Sequence, residues 1–130
     1  MANTLTLVGE QLALNYTFTT TSVTRPTVWY VALHTGANGG TGANNEITTG
    51  EGYARQSVTF SLSSNVITNT AMLTFGPDTT TAWGTVTDIT VWDAVTAGRC
   101  LAQGTAAASV TYAVGDSATI AIGALSVTLV

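Results

Sequence analysis

Through most of this chain, apolar and polar residues alternate with the period of a β-strand, and the helical period is nearly absent. "RQSVTFSLSS" sets Val58, Phe60 and Leu62 on one face and Ser57, Thr59 and Ser61 on the other. "TAMLTFG" repeats the pattern with Ala71, Leu73 and Phe75. "TVWYVALHT" is apolar on both faces, with Trp29, Val31 and Leu33 on one and Val28, Tyr30 and Ala32 on the other. A strand of that kind is central and covered on both sides. "GTVTDITVWDA" and "RCLAQGTA" flank the turn "AVTAG" and read as a hairpin. "SVTYAVG", "SATIAIG" and "LSVTLV" come next, separated at Gly115-Asp116 and at Gly123-Ala124. Pro26 and Pro77 stand at strand boundaries, where a missing N–H costs little.

Seven to nine short strands with regular turn signals predict an all-β fold: one antiparallel β-sandwich or jelly-roll-like domain. The domain itself is expected over 26–130. Residues 1–25 are expected to be an N-terminal arm or edge segment. Within them, "VGEQLALNYTF" offers the one helical spacing, Val8, Leu12 and Tyr16, and reads as either a short helix or an extended arm. In "MANTLTLVGEQLAL", Leu5 and Leu7 alternate with Thr, so the arm is also a candidate strand for a partner's sheet.

Composition narrows the function. Only 8% of the 130 residues are charged, against about 25% in an ordinary soluble domain. Thr supplies about one residue in five. So apolar and weakly charged a domain is expected to bury surface in an assembly. Lysine is missing, and Arg25, Arg55 and Arg99 face seven acids for a net charge of −4. That balance argues against nucleic acid and against an anionic membrane surface as partners. No apolar run approaches the roughly 20 residues of a membrane span, and no signal-peptide pattern opens the chain. Asn15-Tyr16-Thr17 has the glycosylation spacing but is read as coincidental.

The glycine-rich stretch "LHTGANGGTGANNEITTGEGYARQSVTF" invites a phosphate-binding interpretation. A P-loop requires a lysine, which the chain lacks. Gly40-Thr41-Gly42 and Gly50-Glu51-Gly52 each begin a dinucleotide fingerprint, but Asn45 and Arg55 occupy the third-glycine positions. Gly52 leads into a strand pattern, not a helix. The stretch therefore reads as turn chemistry, with Asn38-Gly39 its strongest signal. His34 ends a strand and lacks a sequence-local acid and nucleophile. One His and one Cys, Cys100, are too few for zinc, and no calcium-loop spacing occurs. Glu46 and Glu51 are read as solvated loop charges. Trp29, Trp83, Trp92, Tyr30 and Tyr53 are weighed as a sugar-stacking platform, with packing preferred. No catalytic, cofactor or metal residue is assigned. Leu5, Leu7, Asn38, Tyr53 and Arg55 are the candidate protein-interface residues.

Three stretches then carry a likeness. "WYVALHTG" followed by "GEGYARQSVTF", the run "NTAMLTFGPDTTTAWGTVTDITVWDAVTAGRCLAQG", and "YAVGDSATIAIGALSVTL" together resemble small virion proteins of tailed bacteriophages. The likeness covers nearly all the chain after about Pro26; the first 25 residues match less well. It implies a virion location and no reaction. The expected function is capsid decoration, in which the protein cements the outside of the assembled shell. The expected partners are the major capsid protein and copies of the chain itself, a trimer being the stoichiometry considered. The alternative is a tail fibre or tail-tip module binding the host surface or other tail proteins.

Overall fold

The computed structural model describes residues 1–129, which form ten strands and one helix. They are β1 (Ala2–Leu5), α1 (Leu7–Phe18), β2 (Tyr30–His34), β3 (Gln56–Ser57), β4 (Phe60–Ser63), β5 (Val66–Asn69), β6 (Leu73–Phe75), β7 (Gly84–Trp92), β8 (Cys100–Tyr112), β9 (Ala118–Ile120) and β10 (Ser126–Thr128). Eight of the strands form one sheet in the order β3-β2-β7-β8-β1-β10-β5-β4, and β6 pairs with β9 in a separate ribbon. All pairings are antiparallel except that of β1 with β10.

The connectivity dictates the shape. β3 and β4 are the two outer strands of the sheet, yet only Val58 and Thr59 lie between them. Three Cα steps span at most about 11 Å. The sheet must therefore roll until its edges nearly meet. Two contacts mark the passage: Val58 N donates to Trp29 O on one side, and Thr70 N donates to Thr59 O on the other. The result is a curled, sandwich-like all-β fold, as the strand pattern predicts.

Inside the curl lie Val31, Leu33, Val86, Ile89 and Leu125, and the β6–β9 ribbon adds Leu73, Phe75, Ala118 and Ile120 to the same core. Tyr53 stacks on Phe75 and meets Trp83 edge-on. A second cluster, Val91, Ala102 and Val127, lies farther along the sheet, with Leu5 and Trp29 packed against it. The expectation of a strand covered on both faces holds for β2. Val31 and Leu33 face the core, and Ala32 packs on the opposite face with Trp92 and Cys100.

Several expectations change. "RQSVTFSLSS" is two strands, because the chain leaves one sheet edge and joins the other midway. Leu62 is consequently exposed instead of inward, and so is Ala71. β5 lies in "NVITN", a hairpin partner of β4 across Ser64-Asn65 with no counterpart among the expected strands. "RCLAQGTA" and "SVTY" merge into the single strand β8, whose residues Ala106–Ser109 bulge opposite Thr87 of β7.

The N-terminal segment departs most from expectation. Residues 2–5 are no free arm: β1 sits inside the chain's own sheet, between β8 and β10. The alternation of Leu and Thr does mark a strand, but one that pairs within the chain. α1 comes immediately after it. Thr6 is its N-cap, accepting from Gly9 N at 3.1 Å while donating to Cys100 O at 2.6 Å. Gly9 is the one buried helical residue, and a Cβ there would lie 2.2 Å from Leu101 O. That close approach lets the helix lie on β8.

Candidate functional site

The glycine-rich loop folds back over the outer face of β2 and β7. Thr35 N donates to Asn45 O, Ile47 N to Leu33 O, and Asn44 N to Asn38 O. Asn45 Nδ2 donates to Ala37 O at 2.8 Å. Gly42 adopts φ +75° and lies against the Cys100 thiol, where a Cβ would come within 2.3 Å of Sγ. A residue with a side chain at position 42 would lift the loop off the sheet.

Beneath the loop His34 is fully buried. Its Nδ1 lies 2.7 Å from Asn44 O, and its Nε2 lies 2.7 Å from Thr90 Oγ1. A carbonyl only accepts, so Nδ1 carries the proton and Nε2 accepts from Thr90. The Thr90 hydroxyl in turn accepts from Trp92 Nε1 at 2.7 Å. Each polar atom is satisfied, the Thr90 hydroxyl both as donor and as acceptor. Burial holds the imidazole below its ordinary pKa, against the opposing pull of Asn44 O and the Glu46 and Asp88 charges. This is a neutral, structural histidine.

Beside it, Arg55 and Glu46 form a two-point ion pair, Nε to Oε1 and Nη2 to Oε2, both at 2.8 Å. Arg55 Nη1 also donates to Ala94 O at 3.0 Å and Ala97 O at 2.9 Å, tying the loop to the β7–β8 turn. The guanidinium lies 4.0 Å from the centre of the Trp92 ring. Tyr53 OH donates to Glu46 Oε1 and accepts from Leu33 N, each at 3.1 Å. Burial alone would raise the Glu46 carboxyl; the Arg55 and Tyr53 contacts outweigh it and hold the pKa below ordinary. Burial also pushes the Cys100 thiol up to about 11, far from a reactive thiolate.

The five candidate interface residues thus have different fates. Tyr53 is 2% exposed and the Arg55 side chain 7%, so both are internal braces. Asn38 is buried at the base of the loop, and Leu5 is half-buried in the second cluster. Only Leu7 presents its side chain, at 65% exposure. The loop network brings Tyr53 and Arg55 together; Leu5 and Leu7 sit with α1, away from it. Glu46 partners Tyr53 and Arg55, Trp92 lies under Arg55, and Thr90 links Trp92 to His34; none of the three is among the candidate interface residues. Glu46 stands nine residues before Arg55 across the Gly50–Tyr53 bridge, a spacing that signals their meeting. Thr90 and Trp92 come from a distant strand and leave no such signal.

The other candidate chemistry is likewise engaged within the chain. Glu51 is no free charge: it accepts from the Thr80 hydroxyl and from Thr80 N and Thr81 N, and these bonds lower its carboxyl pKa. Trp83 and Trp92 are buried and Trp29 half-buried, so they form no exposed stacking platform. Among the described residues, no group of three or more His, Cys, Asp or Glu is placed to hold a metal ion. No described helix is long and apolar enough to cross a membrane.

Open apolar surface includes the region around α1. Leu14, Tyr16 and Phe18 are 56%, 67% and 79% exposed. Shallow apolar grooves of about 440 and 400 Å³ flank the helix, one lined by Leu12, Tyr16 and Trp29, the other by Leu14, Phe18 and Leu129. The arrangement suits contact with another protein.

Residues 4–128 match the family described as Podophage GP4 fiber I protein gp80. The chain belongs to this gp80 fibre family. The match runs from β1 to the end of β10, so the N-terminal strand and helix lie within the family's domain. As a gp80-family member, the protein is a virion structural protein of a tailed phage. Comparison with curated proteins gives no match.

Proposed function

We propose that this chain is a non-enzymatic module of a podophage tail fibre, acting through contacts with other virion proteins or the host surface. The observation that carries this reading is the family match across residues 4–128. The fate of the candidate chemistry supports it: His34, Glu46, Tyr53, Arg55 and Cys100 are all engaged within the domain. The fibre reading therefore takes precedence over capsid decoration, which the sequence alone favours. Mechanically, the loop network pins β2, β7 and the β7–β8 turn together, and a rigid module suits a part that bears load. Gold-labelled antibody against the purified protein, imaged on intact virions, tests the assignment. Label at the tail is expected. Label confined to the head would overturn it and restore the decoration reading.

A further inference from the structure

The buried side of α1 is defined by Gly9, against β8. At 100° per residue, the positions opposite Gly9 are Leu7, Gln11, Leu14 and Phe18. All four are exposed. Their spacing of four, three and four residues is that of a coiled-coil seam, with Leu7 and Leu14 at d and Gln11 and Phe18 at a. The hydrophobic pattern of α1 thus has two faces: a glycine contact toward its own sheet, and a heptad seam toward solvent.

We infer that this seam packs in parallel and in register against α1 of a second copy of this chain. Three observations select a copy as the occupant. First, the seam is uncharged, and its polar member is self-complementary: an amide both donates and accepts, so Gln11 and Gln11 of the partner subunit satisfy each other only in register. A single polar a position is a known register device in coiled coils. Second, Glu10 is the helix's one charged residue and occupies a flanking g position. In a parallel pair it faces Asn15 of the partner subunit, whose amide can donate to the carboxylate; no like charges meet. Third, the area is sufficient. Phe18, Leu7, Leu14, Leu129 and Val8 are 79%, 65%, 56%, 57% and 42% exposed. With aromatic side chains burying 150–250 Å² when fully covered, these residues offer roughly 500 Å² per copy. Pairing two copies removes about 1,000 Å², the lower bound for a specific interface. A helix of 12 residues is too short to form a coiled coil by itself; Thr6 and the β8 contact hold it in place for pairing.

The inference does not depend on where in the virion the protein sits. Sedimentation equilibrium of the full 13.3 kDa chain at about 100 µM tests it. A multiple of that mass is expected. The double variant Leu14→Glu, Phe18→Glu should return the mass to one chain, with an unchanged circular dichroism spectrum. Gln11→Cys should form a disulfide between copies under mild oxidation, while buried Cys100 stays reduced. A single-chain mass for the unaltered protein would overturn the inference. So would an unchanged mass for the double variant. An oligomer in which Gln11→Cys fails to cross-link would overturn the parallel, in-register pairing.

Discussion

The glycine-rich loop and helix α1 invert each other's appearance in sequence. The glycine-rich stretch starts beside the only histidine, holds the Glu46–Arg55 pair and six of the 13 glycines, and looks like a site. In the fold its polar groups face one another and the sheet. The helix holds "LVGEQLALNYTF", with one charge and nothing reactive, and looks bland. Yet it carries Leu7, Leu14, Tyr16 and Phe18 into solvent. Chemistry-bearing residues with complementary partners in reach are structure; apolar residues with no partner in reach are the surface left for another molecule.

That contrast can be broken most directly at Arg55. Removing the guanidinium in Arg55→Ala leaves Glu46 as an uncompensated charge and frees two carbonyls. A loss of about 3–5 kcal/mol in urea unfolding is expected, as for a broken buried ion pair. A loss under 1 kcal/mol would mean the loop is not braced as described. Tyr53→Phe is the next step down. It orphans Leu33 N in the core and removes one donor to Glu46, for an expected cost of about 1–3 kcal/mol in the same assay.

Acidity probes the loop without mutation. His34 has a folded pKa below its ordinary 6.5, so the unfolded chain binds more protons between the two values. The stability it contributes is complete above pH 6.5 and is lost as pH falls through the folded value. Glu46 is also depressed, from 4.5, and adds a second loss at lower pH. The thermal midpoint should therefore be level around pH 7–8 and decline on acidification. His34→Gln should remove the first part of that decline; a midpoint that rises from pH 7 to 5 would contradict the assignment. The smallest stability effect belongs to the helix. At dilutions where the protein is a single chain, Leu7→Ser replaces a solvent-facing side chain and should change unfolding free energy by no more than about 0.5 kcal/mol. A loss of several kcal/mol would show that Leu7 packs within the chain, and would erase the contrast between the two regions.

Much of the fold is legible in the sequence. The alternation in "TVWYVALHT", "TAMLTFG" and the "AVTAG" hairpin locates β2, β6, β7 and β8, because period-two burial is written directly in residue order. The break at Val58-Thr59 is not legible, because nothing local distinguishes one long strand from two that serve opposite sheet edges. The candidate site is legible only as residue types. Tyr53 and Arg55 stand out as unusual, but their direction is not readable, since Trp92, Ala94 and Ala97 reach them only through the long-range pairing of β2 with β7.

By itself, the sequence determined an all-β chain, weakly charged, lacking a P-loop lysine, a completed dinucleotide fingerprint and a zinc-ligand set, and similar to phage virion proteins. Those properties are sums or local periods, which survive without coordinates. Only the tertiary structure decided that β1 closes the chain's own sheet, that the loop's polar groups satisfy each other, and that Gly9 turns one face of α1 inward. Each of these depends on which distant segment supplies the partner, a choice made by the whole sheet when it rolls up.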